Sequence, residues 1–287
     1  MRTSTNWNRI SDLLYKISRI ILIFIFVAFA SIPFIYLFLN SIKPSMEFLE
    51  VPPSIFPSQA TLENYQQLFS KQSGDIAHNL TNSIIITTVT TIFSVFFGAL
   101  GAYSLARLRL PFNLTPIIGF MFLVVRFYPK ITTTLPYYVL MRNFHLLDTQ
   151  LAIIIAHVSI TLPFALWLML TFFRDLPKEL EQSAMMDGCS PWQRFTRVVL
   201  PLTIPALGTA AILTALISWN EFLIASSLGP INAKTMPVVV TSFVTDKGIL
   251  WGPMSAMSSI IVLPIMLFAL FAQRYLVRGL TLGAVKE

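Results

Sequence analysis

The side chains able to do chemistry are few and sit at the edges of long apolar runs. Glu221 closes one run in the sequence Trp219-Asn220-Glu221-Phe222, and Arg126 and Lys130 bracket Pro129 inside another. An ionised group in hydrocarbon is costly, so each asks for a water-filled cavity, a partner or a solute path. Trp219, Asn220, Glu221, Arg126 and Lys130 are therefore candidate pathway residues; the two cations could attract an acidic solute or ion-pair at an outer rim. His157 could line the same path or hydrogen-bond between packed helices. Three histidines without suitably spaced carboxylates or thiols do not make a metal site, and the single cysteine, Cys189, excludes a disulfide scaffold. No serine, histidine and acid arrangement stands out for catalysis, and no Gly-x-x-x-x-Gly-Lys-Ser/Thr loop is present to cradle phosphates. No catalytic, cofactor-binding or metal-binding residues are expected.

The elements that must position these residues follow from composition. Of 287 residues, 55% are apolar and 11% charged, against about 25% charged in soluble domains. Mean hydropathy is +0.72. A soluble enzyme and a disordered chain are both excluded. The net charge of +7 suits a basic membrane protein with lysine and arginine in cytoplasmic loops better than a nucleic-acid binder. Runs of roughly 20 apolar residues, the length a spanning helix needs, predict an all-α polytopic protein with spans near 20–40, 80–106, 113–141, 150–173, 201–225 and 253–277. The first run exceeds a signal-peptide core and lacks a small-x-small cleavage site, so it reads as a retained anchor. Both tails are basic (Arg2, Arg9, Lys16 and Arg19; Arg274, Arg278 and Lys286), which places them on one side and demands an even number of spans.

Organisation along the chain follows: 1–19 a cytoplasmic amphipathic segment, 20–40 the first span, 41–78 an external proline-rich segment, 79–277 the main membrane domain, and 278–287 a cytoplasmic tail. In 1–19, Trp7, Ile10, Leu13, Leu14 and Ile17 recur at helical spacing, which fits a surface helix or an extension of the first span. Pro33, Pro163 and Pro264 predict kinks.

The cytoplasmic stretch 174–200 reads as a structured unit. Leu176, Leu180 and the Ser183/Ala184 pair are spaced for one helix face, with Asp175, Glu179 and Glu181 in the N-terminal half, where negative charge complements the macrodipole. Gly188 supplies a left-handed stop. Ser190-Pro191 supplies an N-cap with proline at the first helical position, so a second helix with a Trp192, Phe195 and Val198 or Val199 stripe begins at once. The expected shape is a helix, a glycine corner and a second helix leading to Leu200-Pro201.

At these residues the chain resembles a known family. Gln182-Ser183-Ala184-Met185-Met186-Asp187-Gly188, nine residues, then Val198-Val199-Leu200-Pro201 is similar to the EAA signature of ABC-importer permeases, with Gln182 and Ser183 departing from its usual Glu and Ala. Trp219-Asn220-Glu221-Phe222 is similar to a sequence common in sugar-importer permeases. The stretch 273–286 resembles the tail of the MalG-type subunit of maltose importers, as do Leu147-Asp148-Thr149 and Phe173-Arg174-Asp175-Leu176-Pro177. The resemblance covers about 79–287.

It implies a six-span, MalG-like permease subunit of a binding-protein-dependent carbohydrate importer in the bacterial cytoplasmic membrane, with both termini cytoplasmic. The implied partners are a second homologous permease, two ABC ATPase subunits that use ATP and magnesium, an extracytoplasmic sugar-binding protein and the bilayer, with no nucleic acid. The implied ATPase-coupling residues are Glu181, Gln182, Ser183, Ala184, Asp187, Gly188, Leu200 and Pro201, and the implied ATPase-contacting tail residues are Gly279, Leu280, Thr281 and Gly283. Motion would pass from the 191–199 helix into span 5, and 41–79 and 226–252 would be the docking surfaces outside. The alternative from another class, an autonomous ion-coupled transporter using Glu221, Asp148 and Arg126, predicts internal repeats and paired carboxylates at mid-membrane; neither is visible.

Overall fold

A long apolar run in hydrocarbon satisfies its backbone internally by forming a helix. The computed structural model describes residues 4–70, 75–108 and 111–282, with the backbone alone at 4–11, 113, 126, 272 and 274–282. In chain order the helices are α1 (Ser4–Ser41), α2 (Glu63–Leu68), α3 (Ile76–Arg107), α4 (Leu114–Phe127), α5 (Lys130–Asn143), α6 (Gln150–Asp175), α7 (Glu179–Met186), α8 (Pro191–Arg194), α9 (Leu200–Leu202), α10 (Ile204–Trp219), α11 (Leu223–Leu228), α12 (Met236–Val240) and α13 (Trp251–Leu282). Two-residue strands, β1 (Val244–Thr245) and β2 (Gly248–Ile249), form a small hairpin before α13.

Stretches of α1, α3, α6 and α13 are long and apolar enough to cross a bilayer on their own. Two further spans are broken: α4 meets α5 at 92°, and the α8–α9 segment meets α10 at 76°. Counted as one span each, they complete the six. The first break falls at Pro129, which caps α5 and brings no N–H to a helix ladder. The second falls at Thr203, between Pro201 and Pro205.

α1 is one unbroken helix from Ser4, so of the two readings of this stretch the extension of the first span is the one seen; nothing there breaks the apolar helix that follows. Two boundaries differ from the sequence expectation. α10 stops at Trp219, short of 225, and the chain restarts as α11 after Phe222. α13 runs past 277, so Gly279, Leu280 and Thr281 continue its backbone helix, while Gly283 lies outside the described residues.

The chain divides into two compact units, Met1–Gly74 with Thr245–Ile260, and Asp75–Val244 with Ile261–Glu287. In the first, Asn64 fills carbonyls that the end of α1 leaves open: its Nδ2 donates to Ser41 O at 3.0 Å and Lys43 O at 2.9 Å. The proline-rich 42–61 segment is a closed loop, its neck made by Thr61 N–H donating to Ile42 O at 2.9 Å. Inside it, buried Glu47 accepts the Ser58 hydroxyl at 2.5 Å and its N–H at 3.1 Å. The Ser58 hydroxyl foremost, against the opposing effect of burial, holds the Glu47 carboxyl below the usual carboxylate range.

The second unit is built on α3 packed along α6. A Cβ added at Gly98 would lie 3.0 Å from Ala165 Cβ and from Leu166 N, so a larger residue would push the two helices apart by a few tenths of an ångström, and small residues replace the hydrophobic drive that helix pairs lack in lipid. Ser94 and Thr161 share a buried hydrogen bond of 2.6 Å across the pair. Toward residue 107 the core is Ala99, Ala102, Met169, Phe173, Phe195 and Val199; toward residue 76 it is Ile86, Ile153, Ala156, Ile224 and Leu228. With 32 residues, α3 is about 48 Å long at 1.5 Å per residue and connects the two ends.

Candidate functional site

The glycine corner forms as its sequence demands. Gly188 has φ +81°, and a Cβ there would meet nothing within 4 Å. Its N–H donates to Met185 O at 3.1 Å and Cys189 N–H donates to Ala184 O at 3.0 Å, the paired bonds of a Schellman stop. Ser190 then starts α8 with a capping box: Gln193 N–H donates to Ser190 Oγ at 3.3 Å, and Ser190 N–H donates to Gln193 Oε1 at 2.8 Å. Residues 195–199 follow as a wider π turn.

This elbow is fastened to α3. Arg107 Nε donates to Glu181 Oε1 at 2.5 Å, with the two side chains only 10% and 9% exposed. Tyr103 Oη donates to Glu181 Oε2 at 2.8 Å, and Arg107 Nη2 to Leu176 O at 3.1 Å. Phe195 packs against Tyr103 with ring centroids 4.8 Å apart, and Tyr103 against Phe173 at 5.8 Å. The buried face of α7 thus runs through Glu181 and Ala184. Leu180 (44% exposed), Met185 (54%), Met186 (85%) and Trp192 (61%) are the exposed apolar side chains of the elbow, its apolar knob. Among the expected coupling residues, Gln182, Ser183, Asp187, Gly188 and Pro201 are exposed, Leu200 is half-buried, and Glu181 and Ala184 face inward.

The pathway candidates separate. Trp219 is buried, its Nε1 donating to Ile261 O at 3.2 Å. Glu221 is buried too: Oε2 accepts the N–H groups of Ile224 and Ala225, each at 3.1 Å, capping the start of α11. His157 Nε2 stands 3.4 Å from that carboxylate, and its Nδ1 lies 2.9 Å from Ser218 Oγ. These residues restart a broken helix and tie it to α6. Asn220 is exposed, with Nδ2 donating to Leu216 O at 2.8 Å, and Lys130 is exposed at the start of α5. Arg126 sits on the backbone of α4, and its side chain lies outside the described residues.

At the other end of α3, loops are latched by hydrogen bonds. Asp148 accepts N–H groups from Ile231 at 3.0 Å, Asn232 at 2.9 Å and Ala233 at 3.3 Å, and the Asn232 side chain at 2.7 Å. Burial pushes its carboxyl up, but these donors prevail and hold it below the usual range. Asn82 Nδ2 donates to Asn232 O at 2.9 Å and Lys234 O at 3.1 Å. Sequence reasoning missed Arg107, Tyr103 and Asn232 as anchors; the one available signal was a basic residue at the end of the α3 run.

Residues 98–282 match the family of binding-protein-dependent transport system inner membrane components. The chain is 37% identical over 264 residues to the trehalose transport system permease protein SugB of Mycobacterium tuberculosis (strain CDC 1551 / Oshkosh), covering 91% of this chain and 94% of that one. It is 34% identical over 256 residues to the trehalose/maltose transport system permease protein MalG of Thermococcus litoralis, covering 88% and 91%. Its fold matches that of a chain from a bacterial ABC transporter involved in the import of the acidic polysaccharide alginate. There the TM-score is 0.74 at 24% identity, over 92% of this chain and 97% of that one.

Proposed function

We propose that this chain, which belongs to the family of binding-protein-dependent transport system inner membrane components, is a permease subunit of an ATP-driven carbohydrate importer. It forms the translocation pathway with a second permease and binds no cofactor itself; ATP and magnesium are used by two separate ATPase subunits. It lies in the cytoplasmic membrane with both termini and the elbow inside, and the latched loops face an extracytoplasmic sugar-binding protein. Carbohydrate as the substrate class rests on relatives named for trehalose and maltose transport.

The observation that carries the coupling role is the elbow. Its apolar knob is exposed on the outside, yet an ion pair and an aromatic cluster fasten it from within. Exposed apolar patches on rigid elements mark docking sites. The ion-coupled alternative loses its carboxylates, because Glu221 and Asp148 are both committed to backbone N–H groups. Purification under mild detergent tests the proposal: the chain brings down an ABC ATPase in a ratio of two to one complex, and a second permease. Recovery of the native chain alone, still active in uptake, overturns it.

A further inference from the structure

Two routes lead from the elbow into the membrane, and they differ in stiffness. The route to α10 passes through the π turn 195–199, Pro201, Thr203 and Pro205, and a 76° bend. Prolines and π turns are where helices kink, since backbone hydrogen bonds are missing or displaced there. The route to α3 passes from α7 itself through the Arg107–Glu181 pair and the Tyr103 hydroxyl. It enters an unbroken helix with no internal proline, packed along α6. A buried pair shielded from water resists displacement far better than an exposed one.

We infer that the elbow drives the membrane domain chiefly through α3, with Arg107 as the positioning residue that locks Glu181, and that the link to α10 is the compliant one. The family resemblance had implied a route into α10 by way of Leu200-Pro201. This inference rests on the ATPase-docking reading above and adds where the force goes. Arg107 need not touch an ATPase: its side chain is nearly enclosed by Glu181 and the Leu176 carbonyl.

Hydrogen–deuterium exchange on the assembled transporter, without nucleotide and with ATP plus vanadate, tests it. In the native complex, peptides from 179–190 and from 76–86 both respond. In Arg107→Gln the 179–190 response persists while that of 76–86 falls by about threefold or more. An unchanged 76–86 response in Arg107→Gln overturns the inference. If Arg107→Gln fails to assemble, Glu181→Gln, which removes the charge of the pair but keeps its shape, decides: a reduced 76–86 response with that of 179–190 kept supports the ion pair as the link, and an unchanged one overturns it. No nucleotide response at 179–190 in the native complex would instead refute the docking reading itself.

Discussion

The two ends of α3 are held by opposite chemistry. At the latch end, a single carboxylate collects the N–H groups of three successive residues, and Asn82 adds bonds to Asn232 and Lys234. The contacts are many, about 1.5–3 kcal/mol for each bond to the carboxylate and about 1 kcal/mol for each of those from Asn82. At the elbow end, one ion pair, the hydrogen bonds of Tyr103 to Glu181 and Arg107 to Leu176, and three aromatic rings do the fastening. A loop held by many backbone bonds keeps its shape when one is lost. A lever held by a few strong contacts moves as one body and fails when one is cut.

The largest difference is expected at the corner. Gly188→Arg abolishes uptake while the chain still reaches the membrane. No atom lies within 4 Å of the added Cβ, so the backbone bears chiefly left-handed strain, about 1–2 kcal/mol, while the corner gains bulk and charge. Immunoblotting of membranes beside an uptake assay checks both halves. Next, Arg107→Ala strands a buried carboxylate and costs about 3–5 kcal/mol, read as a lowered melting temperature of the assembled transporter.

The latch yields less to a single change. Asp148→Ala costs about 1–3 kcal/mol locally, seen as faster exchange confined to 229–235. Its acid response has a definite sign. A carboxyl held below its ordinary value of 3.8 contributes stability that is complete above that value and fades as pH falls through the lower folded one. Pepsin therefore spares 229–235 at about pH 4.5 and cleaves it only in stronger acid; cleavage at the higher pH would show that the carboxylate is not what holds the loop. The smallest effect is Ser190→Ala, about 1 kcal/mol from the lost cap, measured in the same melting assay.

Much of the elbow was legible because its signals are local. Gly188, Ser190 and Pro191 each act on backbone within a few residues, and the corner, cap and second helix form where they stand. Its inward face was not legible. The spacing of Leu176, Leu180 and Ser183/Ala184 marked one helix face but not what packs on it: Arg107, distant in sequence, turns Glu181 inward, and Leu180 stays largely exposed. The six spans follow from apolar length, and the α4–α5 break from Pro129. The stop at Trp219 carries no glycine or proline signal; it depends on Glu221 capping α11 and on His157 from α6, contacts that no linear pattern reveals. For the same reason the role of Glu221 in restarting a helix was not legible.

Site-specific photocrosslinking in intact cells bears most directly on the central claim, that the elbow is where an ATPase takes hold of this chain. A photoreactive amino acid replacing Met186, the most exposed residue of the knob, should give an adduct with an ABC ATPase, whereas one at Ile231 on the latched loop should not. Absence of the ATPase from the Met186 adducts of a complex that transports normally would contradict the account.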